Sequence, residues 1–335
     1  GLTARRLSVL RAVVRDYVQY GRPVGSQTVG RRYGIRASSA TIRLDMSVLV
    51  SMGLLRQPHT SSGRIPTASG YRTYVRNLPV QRLDSRDGVL LRSQVRKAQD
   101  PTEALVMATR TLADLTQLAA LAAPPLPMRL RLTSLGLRQV SDRMVLLSYV
   151  LSDGTCGEVL AHLEASASDE QVGFWRQAIE DLGTPQVASL ASLPCPVRLP
   201  EEVWQSLVEH VLGRVGAMTV FQGISHLAAQ PEFSSRISLA DLLALVENHG
   251  RIYSLLSRAA PEAGATALID AADTGGHLPH CSLIVSAFGP SGSRSGRVAV
   301  LGPMRMHYDR ALAATTEAAR LLDRSWAASD EESEI

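Results

Sequence analysis

Residues 38–45 read Ser38-Ser39-Ala40-Thr41-Ile42-Arg43-Leu44-Asp45, and about a dozen residues further on comes Gln57-Pro58-His59-Thr60-Ser61-Ser62-Gly63-Arg64-Ile65-Pro66-Thr67. The first run begins a helix capped by Ser38 or Ser39. Ile42, Met46 and Leu49 fall on one face of it, which the periodicity assigns to a core. Thr41, Leu44 and Ser47 fall toward the other face, with Arg43 flanking. The second run joins two short strand candidates, 54–57 and 65–67, through a tip of small hydroxyl residues, one glycine and Arg64.

Working outward, Leu7, Leu10, Val14, Tyr17 and Val18 recur at helical spacing and predict a first helix over 3–20, stopped by Gly21-Arg22-Pro23. Ser26 is placed to cap a second helix over 27–33 that ends at Gly34. Three short helices with this turn spacing, followed by a small ribbon, predict a winged helix-turn-helix over residues 1–78. Its third helix would lie in a DNA major groove, N-terminal residues nearest the bases. Arg36, Ser38, Ser39, Thr41, Arg43 and Leu44 are the expected groove contacts. His59, Thr60, Ser61, Ser62, Gly63 and Arg64 are expected on the flanking backbone, where small residues let amides approach phosphates. Thr67 can cap a fourth helix whose Tyr71 and Tyr74 are expected in the core.

The charge distribution points the same way. Residues 1–78 hold 13 arginines and only two acids, Asp16 and Asp45, a net +11. The other 257 residues hold 22 Lys+Arg against 29 Asp+Glu, a net −7, so the overall +4 conceals a basic head on an acidic body. That asymmetry suits a polyanion-binding module. Aromatic residues at 4% argue against an RNA binder that works by base stacking. At 335 residues the chain is long enough for two or three cores. No apolar run reaches the roughly 18–20 residues of a membrane span, and no signal-peptide pattern opens the sequence. Three scattered cysteines, Cys156, Cys195 and Cys281, leave an odd one over and point to the reducing cytoplasm.

The body reads less sharply. Residues 79–102 are polar with mixed charge, a linker or an exposed helix. A helix follows over 102–120, then strand candidates at 130–140, 144–151 and 156–163, with hairpin turns at Ser141-Asp142 and Asp153-Gly154. Helical segments at 169–182 and 201–215 lie in an excursion over 165–219. Strands at 282–288 and 297–301 and a helix over 308–326 close the chain. This order describes an α+β sheet domain interrupted by an insertion. No phosphate loop, nucleophile elbow or dinucleotide fingerprint is present. His277, His280 and Cys281 lack the three or four convergent ligands that zinc requires. No enzyme, metal or cofactor is expected.

The chain resembles the heat-inducible transcription repressor family HrcA. The motifs that carry the likeness are Pro23-Val24-Gly25-Ser26, the run from Ser38 to Arg43 with Asp45-Met46, the whole of 57–67, and Gly70-Tyr71-Arg72. It continues less densely through Gln230-Pro231-Glu232-Phe233, Cys281-Ser282-Leu283 and Gly302-Pro303-Met304-Arg305-Met306. One departure is Leu44, where the family pattern leads one to expect Asn; a thymine methyl contact would then replace a polar base contact. The resemblance implies a linker over 79–102, a GAF-like antiparallel sheet domain over 103–164 and 220–328, and an inserted helical or mixed dimerisation domain over 165–219. It also implies a homodimer on an inverted-repeat operator of chaperonin and related chaperone operons, kept active by the chaperonin. The alternative is a winged-helix regulator gated by a small molecule held in the GAF-like domain, which a closed polar pocket would favour.

Overall fold

The computed structural model describes residues 1–59, 63–79, 82–126, 129–215, 219–233, 248–258, 264–270, 280–289 and 295–333. Helix α1 (Ala4–Tyr20) starts at Thr3, whose hydroxyl accepts from the Arg6 amide, and stops at Gly21 in the left-handed conformation. Helix α2 (Ser26–Tyr33) ends at Gly34. Ser26 does not cap it, because Gly25 holds that position; the Ser26 hydroxyl lies 2.9 Å from that of Ser39 and ties α2 to the next helix. Helix α3 (Ser39–Ser51) is capped by Ser38. Strands β1 (Leu55–Arg56) and β2 (Ile65–Pro66) form an antiparallel ribbon, and α4 (Ala68–Arg76) starts at Thr67, whose hydroxyl accepts from the Gly70 amide.

Burial follows from the apolar spacing. α3 contributes Ile42, Met46 and Leu49, all at most 3% exposed. α1 buries Val9, Leu10, Val13 and Val14, more than one face, because it packs against α2, α3, α4 and the ribbon. Tyr71 and Tyr74 are buried as expected. Each such aliphatic side chain contributes about 1.5–3 kcal/mol relative to exposure.

The segment read as a linker or an exposed helix holds helix α5 (Ser85–Val95), with Leu91 and Val95 buried. Its apolar stripe is only two residues deep, so periodicity does not reveal it. Helix α6 (Pro101–Thr116) is shorter than expected; Gln117 takes a left-handed conformation and Ala119–Ala123 becomes strand β3. Alanine favours helices, but the small side chains let this strand sit fully covered on both faces, and packing overrides propensity.

Strands β4 (Leu132–Ser141), β5 (Met144–Leu151) and β6 (Cys156–His162) pair as an antiparallel meander. Helices α7 (Asp169–Glu180) and α8 (Glu201–Val215) pack on it. These strands form a three-stranded sheet of their own, separate from the sheet that holds the closing strands. Hairpin signals fix which neighbours pair, and say nothing about which sheet the pair joins.

The chain then adds β7 (Val220–Gln222), α9 (Ile224–Ala228), α10 (His249–Arg258) and β8 (Ala265–Ile269), none of them anticipated. Strands β9 (Cys281–Phe288) and β10 (Gly296–Pro303) and helix α11 (Tyr308–Ser333) complete it. The central sheet runs β7-β3-β10-β9-β8, antiparallel throughout. Alternate residues divide it into two faces. Ala120, Ala122, Ile284, Phe288, Val298 and Val300 join a core with α5, α6 and α11 that continues into the head. Leu121, Leu283, Val285, Ala299 and Leu301 join the core of the three-stranded sheet, α7, α8 and α10. The fold is a mixed α+β architecture. Among the described residues no helix is long and apolar enough to cross a membrane.

Candidate nucleic-acid interface

The outer face of α3 is bare. Leu44 is 65% exposed, and Arg43 and Ser47 are exposed beside it. The Ser38 hydroxyl accepts from the Thr41 amide at 3.1 Å and lies 2.8 Å from the Thr41 hydroxyl, so both define the helix start. Arg36 is exposed on the turn that leads into the helix. Ser39 is only half-exposed and committed to Ser26.

The ribbon lies alongside. Its second arm extends to Arg64, which exchanges backbone hydrogen bonds with Val24 in the turn between α1 and α2, at 2.9 Å each way. Gly63 has a specific reason to be glycine there. A Cβ would meet the Val24 carbonyl oxygen at 2.4 Å and the Val24 nitrogen at 2.7 Å, distances no side chain tolerates. His59 is exposed, and Arg64 is half-buried. Thr60, Ser61 and Ser62 lie outside the described residues. Arg56 and Gln57, in the first strand candidate but not among the expected contacts, are exposed at the base of the ribbon beside this face. Val24 lies in a quoted motif, but its anchoring role was not legible, since a backbone anchor has no side-chain signature.

Electrostatics sharpen the face. Both acids of the head are withdrawn into its interior, each about 2% exposed and paired with arginine. Asp45, on the core side of α3, accepts from Arg5 Nε at 2.6 Å and Arg6 Nε at 3.3 Å. The hydrogen bond from Arg5 holds the Asp45 carboxyl below its ordinary value, and Asp45 in turn raises Arg5. Asp16 accepts from Arg32 at 2.8 Å and from the Tyr33 hydroxyl. Burial, with Asp16 adding to it, pushes the Tyr33 phenol up to about 12. The Arg32 and Arg22 guanidiniums lie 4.4 and 5.4 Å from the centre of the Tyr20 ring. The negative charge of the head therefore faces inward, while Arg36, Arg43 and Arg56 stay exposed.

The body offers little chemistry of its own. Among the described residues no group of three or more His, Cys, Asp or Glu is placed to hold a metal. His280 donates its amide to Asp270, and His277 lies outside the described residues. Burial pushes the Cys281 thiol up to about 12 and the Cys195 thiol up to about 11, the reverse of activation.

Comparison with known proteins gives these features a context. Residues 102–312 match the family model described as the HrcA protein C-terminal domain. The heat-inducible transcription repressor HrcA of Parasynechococcus marenigrum is 34% identical over 339 residues, covering 96% of this chain and 98% of the relative. That of Thermomicrobium roseum is 32% identical over 93% of this chain and 92% of the relative. A crystal structure of a hypothetical protein at 2.2 Å superposes with a TM-score of 0.58 over 98% of both chains, at 23% identity, and shares the fold. These sequence relatives are transcription repressors, a class that suits a basic head on an acidic body. The chain belongs to the HrcA family of heat-inducible transcription repressors.

Proposed function

We propose that residues 1–78 are a winged helix that binds double-stranded DNA, with α3 in the major groove and the 57–67 ribbon along the flanking backbone. The observation that carries this reading is the bare face of α3, Arg43 and Leu44 outermost, beside a ribbon braced on Val24, in a head whose two acids are turned inward. Arg43 reads or docks the groove, and Leu44 meets a thymine methyl. Two heads of a homodimer engage an inverted repeat, their α3 helices about one DNA turn or a multiple of it apart. The operator lies upstream of chaperonin and related chaperone genes. Chaperonin keeps the repressor competent, and heat diverts it to unfolded clients, so a marginally stable fold needs no small-molecule cofactor. The central sheet serves as a GAF-like scaffold, and the sheet-and-helix excursion carries the dimer contact. Both faces of the central sheet are filled by the protein's own side chains, which favours this reading over a ligand-gated one.

The test is fluorescence anisotropy of a labelled inverted-repeat duplex and a scrambled duplex at one salt concentration, with and without chaperonin. Preference for the repeat, strengthened by chaperonin, is the expected result. Equal binding to both duplexes with and without chaperonin rejects it.

A further inference from the structure

Two segments outside the head, 230–233 and 302–306, converge beneath it at Arg305. Arg305 Nη1 donates to the Val18 carbonyl in the last turn of α1 at 3.0 Å, while its Nε pairs with Glu232. Both supports are anchored in the body. Glu232 sits on the short 3-10 turn Pro231–Phe233, pinned by buried Phe233 and by Gln230, which donates to the Gln117 carbonyl. Behind Arg305, the Tyr308 hydroxyl donates to the Met304 carbonyl at 2.8 Å and lies 2.7 Å from the hydroxyl of buried Ser282 on β9. A planar guanidinium reaches a carboxylate and a carbonyl at once; a lysine ammonium on its flexible stem does not hold that fork.

Head and body also share one continuous core, and among the described residues further contacts join them. α4 lies against β8, Arg72 Nη2 donates to the Ile269 carbonyl at 2.6 Å, and the Tyr71 and Tyr74 rings pack on Tyr308 at 5.7 and 6.5 Å. Beside Arg305 the joint is open: a cleft of about 250 Å³ separates Arg15, Gln19 and Tyr33 of the head from His307 and Asp309 of the body. On this side, where the cleft opens, Arg305 ties the last turn of α1 to the body.

We propose that Arg305, clasped between Glu232 and the Val18 carbonyl, is a positioning residue that fixes the angle at which the body presents α3 to DNA. This rests on the reading of the head as a DNA-binding module. A clasp of this kind matters most when two heads must meet two half-sites together, because simultaneous engagement is lost when the geometry drifts.

The experiment uses the full chain with nitroxide labels on native, exposed Cys156 and on Ser51→Cys, in a Cys195→Ser background diluted with unlabelled protein. Pulsed dipolar spectroscopy reads the head-to-body distance for the clasped chain, Arg305→Ala, Arg305→Lys and Glu232→Gln; circular dichroism confirms that each is folded. The expected result is one narrow distance for the clasped chain and a broadened distribution for all three variants. Affinity for a two-half-site duplex should fall roughly tenfold or more, with affinity for a single half-site unchanged. A folded variant set that keeps the narrow distribution, or that loses both affinities equally, overturns the proposal. Because the distance measurement needs no DNA, broadening in a protein that never discriminates the repeat would retain the clasp and reject the DNA reading instead.

Discussion

The Asp45 carboxylate, on the buried side of α3, accepts a hydrogen bond from Arg5 Nε of α1 at 2.6 Å. It couples the orientation of the exposed helix to the head's central helix, and its native pKa lies below the unfolded value. Its contribution is therefore complete above about pH 4 and is lost as pH falls through the depressed native value. Asp45→Asn should cost about 1–2 kcal/mol at neutral pH, the low end for a charged hydrogen bond because Arg5 is half-exposed and screened. Urea unfolding of the two proteins from pH 7 to pH 3 should show that difference shrinking below about pH 4.

Gly63→Ala forces a Cβ against the Val24 backbone, 2.4 Å from its carbonyl oxygen. The Val24–Arg64 bridge must open, at a cost of about 1–3 kcal/mol typical of overpacking. Duplex affinity should fall with it. Retained affinity and an unchanged melting temperature would show that the ribbon does not depend on this anchor.

Leu44→Asn should leave the melting temperature unchanged, since the side chain is 65% exposed. It should alter base preference at one position of each half-site, from thymine toward adenine, by about 1–3 kcal/mol of discrimination. Competition titrations with singly substituted duplexes read this directly; a change in melting temperature with no change in preference would count against the placement.

Tyr308→Phe removes the hydroxyl that bridges Met304 and Ser282, leaving the fully buried Ser282 hydroxyl without it. Destabilisation of about 1–3 kcal/mol follows, measured by chemical unfolding. Tyr71 and Tyr74 lose little, because their packing is against the Tyr308 ring, which phenylalanine keeps.

The head was legible because its signals are local. Caps at Ser38 and Thr67, stops at Gly21 and Gly34, and the Ile42, Met46, Leu49 stripe each act within a few residues. The body was less so. An alanine run at Ala119–Ala123 reads as helix until two partner strands and two covered faces are known. The pairing of β4, β5 and β6 was visible in their turns, but their separation from the central sheet depends on packing against α7 and α8. At the candidate interface, residue type pointed to Arg43 and Leu44. It could not reveal that Gly63 is constrained by Val24, or that Ser39 is bonded to Ser26.

The most direct test of the central claim is the ratio of affinities for the inverted repeat and its scramble, measured at one salt concentration for the unaltered chain, Arg43→Ala and Arg214→Ala. Arg43 stands on the bare face of α3, and Arg214 stands on α8 in the body. The account predicts that Arg43→Ala loses about 1–3 kcal/mol of discrimination while Arg214→Ala keeps it all. Full discrimination in Arg43→Ala, or an equal loss in both variants, would contradict the placement of DNA on α3.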